Sequence, residues 1–134
     1  MKRERSANIL VADDFSDWRV RIRSIVQRPE WHVNGEARDG LQAVEKATEL
    51  RPDVVLLNIG MPILNGIEAG KRIRQACPGS RVIFVTQEND EDVRMSALAI
   101  GADAYLLKAK AASELLPAID AALRNGHPRD CHHS

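Results

Sequence analysis

Residues 53–66 read DVVLLNIGMPILNG, and they carry the clearest structural signal in the chain. Four consecutive apolar residues end abruptly at Asn58, and a loop containing Pro62 and Asn65-Gly66 leads into a helical pattern. A continuous apolar run, rather than an alternating one, is typical of a strand that is covered on both faces. The stretch therefore predicts a buried strand with a polar residue at its carboxyl end.

Similar apolar runs recur on both sides of this strand and alternate with longer amphipathic stretches. In the first such stretch, Trp18, Ile22 and Ile25 recur at spacings of three and four residues, which indicates a helix. Proline or glycine follows the first four helical patterns, at Pro29, Pro52, 78–79 and Gly101, and Asp14 and Asp39 stand where they could cap helices. The predicted strands are 8–12, 31–36, 53–57, 81–85 and 104–107.

This βα alternation predicts an α/β fold with a five-stranded parallel sheet and five helices. The expected strand order is 2-1-3-4-5, the doubly wound, flavodoxin-like arrangement, whose active crevice lies at the carboxyl ends of strands 1 and 3. We expect one domain over 7–125, an N-terminal extension over 1–6 and a flexible tail over 126–134.

The composition excludes several classes of function. The 134 residues carry zero formal net charge, so there is no electrostatic footprint for nucleic acid or a membrane surface. No apolar run is long enough to span a bilayer or to act as a signal peptide, which predicts a cytoplasmic protein. The two cysteines, Cys77 and Cys131, are 54 residues apart and are expected to be free thiols. The tail sequence Cys131-His132-His133 lacks the usual ligand spacing, and we interpret it as incidental.

Polar residues collect where the predicted strands end. Each has an ordinary interpretation on its own: a helix cap, a β-branched residue finishing a strand, a surface charge. Together they bring two carboxylates, an amide, a hydroxyl and an ammonium group into one crevice. Paired acids suit a hard cation such as Mg²⁺, and a lysine and a hydroxyl suit phosphoryl oxygens. The residues are Asp13 and Asp14 after strand 1, Asn58 after strand 3, Thr86 after strand 4 and Lys108 after strand 5.

Over about residues 7–125 the chain resembles the receiver domain of two-component response regulators. The segments that carry the resemblance are ILVADDFSDWR, DVVLLNIGMPILNG, VIFVT and GADAYLLK. The first segment resembles single-domain chemotaxis receivers. The last, with ELLPAIDAAL after it, is closer to receivers that precede a DNA-binding domain.

The resemblance implies roles for individual residues. The Mg²⁺ ion would be held by Asp13, Asp14, Asn58 at the end of strand 3, and the Gly60 carbonyl. The phosphoryl group would be contacted by Thr86 and Lys108. Tyr105 would be the aromatic residue that changes rotamer in the switch, together with Thr86. Three further positions depart from the family pattern. Asn65 replaces the usual aspartate, Gln87 is larger than the usual small residue and is expected to narrow access, and Ala109 replaces a proline, which predicts a trans peptide bond there.

The departure with the largest consequence is Asn58, which stands where the family has the phosphoacceptor aspartate. A carboxamide lacks an anionic oxygen to act as nucleophile, and Leu57 supplies no hydroxyl as a substitute. Loss of one negative charge should also weaken Mg²⁺ binding. We therefore expect a signalling domain without enzymatic activity, which does not accept phosphate and rests near the inactive state.

Three origins of Asn58 stay open: an engineered substitution, a natural phosphorylation-independent pseudo-receiver, and an acceptor regenerated by slow deamidation. Expected partners are a sensor histidine kinase or phosphotransfer protein and a second copy bound through helix 4, strand 5 and helix 5, at 90–101, 104–107 and 112–123. Met95 is a candidate for that surface, whereas most of the residues 97–100 are expected to be core. This chain alone should bind neither nucleic acid nor membrane. An alternative function is the N-terminal part of a DNA-binding transcriptional regulator.

Two rival classes fit the sequence less well. A small-molecule phosphotransferase would need the missing nucleophile and an insertion that encloses its substrate. A flavin- or nucleotide-binding domain would need a phosphate-cradling loop after strand 1, where Asp13 and Asp14 would instead repel phosphate.

Overall fold

Strands and helices alternate along the whole described chain, as the sequence predicts. The structure is a computed structural model, and it describes residues 6–124. The elements are β1 (Ala7–Ala12), α1 (Ser16–Ile25), β2 (Trp31–Ala37), α2 (Gly40–Leu50), β3 (Val54–Leu57), α3 (Gly66–Ala76), β4 (Arg81–Thr86), α4 (Glu91–Ala99), β5 (Ala104–Leu107), a 3₁₀ turn (Lys108–Lys110) and α5 (Ala111–Arg124).

The five strands form one parallel sheet in the order β2-β1-β3-β4-β5. The predicted order and the flavodoxin-like class are confirmed. Because β1 and β3 are neighbours while their connections leave on opposite sides, the carboxyl ends of these strands border a crevice. The predicted strand bounds differ from the observed ones by at most one residue at either end.

Two apolar clusters cover the two faces of the sheet. On one face, alternate strand residues such as Ile9 and Val11 pack with α1 and α5 through Ile22 and Leu115. On the other face, Leu10, Leu57 and Phe84 pack with α2, α3 and α4. In the central strands, the side chains that point to either face of the sheet are therefore buried. This explains why the sequences of these strands read as continuous apolar runs.

The two predicted helix caps have different outcomes. Asp39 caps α2, because its side chain accepts a hydrogen bond from the Gln42 backbone N–H at 2.8 Å. The prediction for Asp14 is wrong: Phe15 is the N-cap residue of α1 and makes no side-chain cap bond. The Phe15 N–H is instead bound by the carboxylate of Asp13, and Asp14 is directed toward Asn58.

The expectation that most of residues 97–100 are core is only partly correct. Ala97 is fully buried and Ile100 is partly buried, but Leu98 and Ala99 are exposed. The short helix α4 contacts the sheet along one stripe, through Val93, Ala97 and Ile100, so the residues between them face solvent. Met95 is 57% exposed, as expected of a surface residue.

Two further observations concern the bulk predictions. Within residues 6–124, no helix is both long enough and apolar enough to cross a membrane. Cys77 is a buried free thiol, whereas Cys131 and the tail with His132 and His133 lie outside the described residues.

Candidate functional site

The residues predicted at the strand ends gather at one edge of the sheet and are buried there. Asp13 is 1% exposed, Thr86 2%, Lys108 5% and Asn58 6%, while Asp14 is more open. Polar side chains are rarely buried to this extent unless other groups pair with them. The gathering of four buried polar residues at one edge of the sheet makes this crevice the candidate site.

Lys108 and Asp13 form a buried ion pair at the floor of the crevice. The Lys108 Nζ lies 2.8 Å from Asp13 Oδ2, and Asp13 Oδ1 accepts a hydrogen bond from the Phe15 backbone N–H at 2.9 Å. The Oδ2 atom makes a close ionic contact but no hydrogen bond of acceptable angle. The ordinary interpretation of Lys108 as a surface charge is thus wrong.

Two aromatic side chains flank the same ammonium group. The Lys108 Nζ lies 4.9 Å from the centroid of a Trp18 ring and 5.5 Å from that of Phe15. These distances are in the range of cation–π contacts, which stabilise a cation that has lost water. Sequence reasoning assigned Trp18 only to the apolar stripe of the first helix, because nothing in a single helical pattern indicates contact with a residue 90 positions away.

The side-chain nitrogen of Asn58 contacts two oxygen acceptors. Its Nδ2 is 3.2 Å from Asp14 Oδ1 and 3.5 Å from the Gly60 carbonyl oxygen. Two acceptors on the same side determine which atom of the carboxamide faces them, because the amide oxygen would be repelled by both. The amide N–H₂ group therefore points toward Asp14 and the Gly60 carbonyl.

A second group of contacts connects Thr86 with Tyr105. The Glu88 N–H donates to Thr86 Oγ1 at 3.0 Å, and the Tyr105 hydroxyl donates to the Glu88 carbonyl at 2.7 Å. Burial raises the pKa of the Tyr105 phenol above its ordinary value, and the nearby charge of Glu88 raises it further. The hydroxyl consequently stays protonated and able to donate.

The comparisons with known proteins agree with this geometry. The family model described as "Response regulator receiver domain" matches residues 9–120. The chain belongs to the response regulator receiver domain family.

Individual relatives show the same relationship. Transcriptional regulatory protein LnrK of Bacillus subtilis is 39% identical over 112 residues, which are 83% of this chain and 51% of LnrK. Chemotaxis protein CheY of Thermotoga maritima is 32% identical over 112 residues, 84% of this chain and 93% of CheY. The crystal structure of the response regulator domain of T. maritima CheB superposes with a TM-score of 0.84 at 39% identity, and covers 90% of this chain and 98% of that one. The chain thus spans about half the length of LnrK and nearly all of CheY.

Receiver domains generally bind Mg²⁺, and the residues present here fit that ion only in part. Two carboxylates and the Gly60 carbonyl are the oxygen donors that Mg²⁺ prefers, and Asp13 Oδ2 lacks a hydrogen bond. Against this, an N–H₂ group projects toward Asp14 and Gly60, where a cation would need an oxygen. No group of three or more Asp, Glu, His or Cys side chains suited to a metal occurs within residues 6–124. Asp13 and Asp14 are the acids of this crevice, and position 58 is an amide.

The departures from the receiver pattern have local explanations. Asn65 is the N-cap of α3, where its side chain accepts a hydrogen bond from Glu68 N–H, and asparagine caps a helix as well as aspartate does. The bond between Lys108 and Ala109 is trans, as predicted. Gln87 is exposed and lines, with Trp18 and Lys108, a groove of about 410 Å³ beside the crevice. That the Gln87 side chain narrows access to the phosphoryl site stays a prediction.

Glu36 is a residue of this receiver that sequence reasoning missed. It accepts hydrogen bonds from Arg19 and Arg23 on α1, and Arg19 in turn donates to the Asp13 carbonyl at 2.6 Å. The two guanidinium groups, Arg23 first, lower the pKa of the Glu36 carboxyl, although partial burial opposes them. Glu36 therefore connects α1 to β2, and Arg19 connects the same helix to the residue that follows β1.

We expect Glu36→Gln to lower the free energy of unfolding by about 1 kcal/mol at neutral pH, since the two weakened pairs with Arg19 and Arg23 are only partly buried. Because the folded-state pKa lies below the ordinary value of 4.5, this stabilisation is complete above that pH and is lost as the pH falls through the folded-state pKa. Urea unfolding of both proteins between pH 7 and 3 would show the two curves converging on the acid side.

The matched control is Glu68→Gln, which removes the more exposed pair between Glu68 and Arg72. It should change the free energy of unfolding by less than about 0.5 kcal/mol. Equal effects of the two substitutions at neutral pH would contradict a special role for Glu36.

Proposed function

We propose that this chain is a receiver domain of a two-component response regulator whose phosphoacceptor position is occupied by Asn58. The domain does not accept phosphate and rests near the inactive conformation. In this role it acts as a signalling domain that partner proteins recognise without phosphorylation.

The observation that carries this proposal is the position of Asn58 at the end of β3, 6% exposed and beside Asp14. Lys108 and Thr86, whose ammonium and hydroxyl groups suit phosphoryl oxygens, lie at the carboxyl ends of β5 and β4, at the same edge of the sheet. A neutral carboxamide in the same place is a poor nucleophile, because its nitrogen lone pair is delocalised and its oxygen is uncharged. The surroundings are thus suited to phosphoryl transfer, whereas the central group is not.

The residues that would hold Mg²⁺ are Asp13, Asp14 and the backbone carbonyl of Gly60. When bound, the ion supplies positive charge that neutralises phosphoryl oxygens. With Asn58 in place of a third carboxylate, we propose that the site binds the ion more weakly than a receiver with aspartate does.

The route from the crevice to the surface runs through Thr86, Glu88 and Tyr105. Movement of the Thr86 hydroxyl would break its bond to Glu88 N–H and so disturb the carbonyl that holds Tyr105. Beside Tyr105 lies a groove of about 260 Å³, lined by Arg94, Lys110 and Glu114 among others. We propose that the face formed by α4, β5 and α5 binds a partner protein or a second copy of this chain. We further propose that a histidine kinase or a phosphotransfer protein binds at the edge of the sheet where the crevice opens.

A second candidate concerns the protein to which this chain belongs. The relative LnrK is named a transcriptional regulatory protein, and the matched region is only 51% of its length. On that basis the alternative function is the N-terminal part of a DNA-binding regulator, in which DNA would be bound by a different domain.

The test of the main proposal is intact mass after incubation with Mg²⁺ and acetyl phosphate. The parent should gain nothing, and Asn58→Asp should gain one phosphoryl group located at position 58. In the variant, a carboxylate oxygen attacks phosphorus, the bond from phosphorus to the acetate oxygen breaks, and acetate leaves with the electron pair. The product is an acyl phosphate.

Asn34→Asp is the matched control, because it makes the same chemical change at an exposed position on β2, outside the crevice. It should gain no phosphoryl group. Phosphorylation of the parent at any residue of the crevice would overturn the proposal, and so would an Asn58→Asp variant that stays unmodified while folded.

A further inference from the structure

The Asn58 carboxamide makes a contact pattern that resembles that of a bound cation. The Asn58 Nδ2 atom lies 3.2 Å from Asp14 Oδ1 and 3.5 Å from the Gly60 carbonyl oxygen. An N–H₂ group carries two donors with partial positive charge, so it can serve two oxygens at once. Resting on the proposed function, we infer that the Asn58 amide takes the place of the metal ion and closes the crevice without it.

The charge arrangement supports this inference. Asp13 is already compensated inside the chain, by the Lys108 ammonium at 2.8 Å and the Phe15 N–H at 2.9 Å. Asp14 has the Asn58 amide as its hydrogen-bond donor. Each of the two acids therefore has its own internal partner, and no third negative charge remains to require a cation.

A carboxylate at position 58 would reverse this balance. It has no N–H to offer to Asp14 or Gly60, and it would add a third negative charge next to Asp14, while the Lys108 ammonium is already paired with Asp13. Carboxylates that lie close together in a buried site repel one another strongly. An added cation would relieve that repulsion, so Asn58→Asp should depend on metal where the parent does not.

The first measurement is thermal unfolding of the full chain in EDTA and in millimolar Mg²⁺. The parent should shift by less than about 1 °C between the two conditions, since a ligand stabilises only the state that binds it. Asn58→Asp should unfold about 3–6 °C below the parent in EDTA and recover most of that loss in Mg²⁺, as expected for a change near 1 kcal/mol in a domain of this size.

The second measurement compares Asp14→Ala in the two backgrounds, in EDTA. In the parent, Asp14→Ala should lower the unfolding temperature, because it removes the acceptor of the Asn58 amide. In Asn58→Asp, the same change should raise it, because it removes a repelling charge. The opposite sign in the two backgrounds is the signature of an amide that replaces a cation.

Trp18 provides an independent reporter, because its ring lies 4.9 Å from the Lys108 ammonium that pairs with Asp13. In a Trp31→Phe background, which leaves Trp18 as the sole tryptophan, Mg²⁺ should change the fluorescence of Asn58→Asp and leave that of the Asn58 protein unchanged.

The inference is overturned if Mg²⁺ stabilises the parent as much as Asn58→Asp, or if Asp14→Ala stabilises both backgrounds. These outcomes are separate from those of the phosphorylation test. A crevice that never accepts phosphate, even with aspartate at position 58, can still show or fail to show the exchange of amide for cation.

Discussion

Replacing Gly66 by alanine is expected to lower the free energy of unfolding by about 3 kcal/mol or more, since the added methyl group meets backbone atoms that cannot move aside. A Cβ at this position would lie 2.0 Å from the Asn58 carbonyl oxygen and 2.7 Å from the Ile59 Cα. Gly66 also donates its N–H to the Ile59 carbonyl at 2.7 Å, which holds the start of α3 against the loop after β3. The substitution must therefore move either α3 or the loop that carries Asn58. Urea unfolding at neutral pH measures the loss.

The matched control is Gly60→Ala in the same loop. A Cβ at Gly60 would meet nothing within 4 Å, and the backbone there has no positive φ. This variant should unfold within about 0.5 kcal/mol of the parent, as surface substitutions usually do. If the two alanine variants were equally stable, the close approach of α3 to the loop would be wrong.

Phe84→Ala is expected to cost about 3–5 kcal/mol, the usual range for truncation of a buried aromatic side chain. Phe84 is fully buried in the middle of β4, and its ring packs under α3, where a Cβ on Gly70 would lie 3.0 Å from the Phe84 Cζ. Its ring centroid is 6.4 Å from that of Tyr105, so the cavity would also remove packing from the proposed switch residue. Thermal unfolding should show a fall of about 10–20 °C for a domain of this length.

Phe84→Leu keeps most of the apolar volume and should lose only about 1–2 kcal/mol. A comparable substitution at an exposed apolar residue, Val20→Ala on α1, should cost less than about 0.5 kcal/mol. If the free energy of unfolding of Phe84→Ala were within about 1 kcal/mol of the parent value, the packing of the sheet face covered by α2, α3 and α4 would be wrong.

The architecture could be predicted because it depends on periodicity, which a single sequence displays. Continuous apolar runs alternate with stripes of period 3.6, and proline or glycine separates them. Strand ends were predicted to within one residue. In four of the five strands a polar residue directly follows the apolar run, as Asn58 follows Leu57. The coincidence of Asp13, Asp14, Asn58, Thr86 and Lys108 at one edge follows from the parallel arrangement alone.

The pairing of side chains inside the crevice could not be predicted in the same way. Asp14 stands in the sequence where a helix cap is expected. Its carboxylate instead accepts a hydrogen bond from Asn58, which is 44 residues away. Leu98 and Ala99 have apolar side chains, yet the orientation of α4 on the sheet leaves them exposed. In both cases the deciding contacts come from distant segments, and local propensity carries no information about them.

The alternation of strands and helices, the expected strand order and the polar residues at the crevice can be read from the sequence, because they follow from patterns local in the chain or from the rules of parallel sheets. The fold was needed to show that Lys108 is buried against Asp13 beside Phe15 and Trp18, that Glu36 connects α1 to β2, and that the Asn58 amide faces two oxygens. Those are contacts between residues brought together by folding, and their distances depend on how helices pack on the sheet.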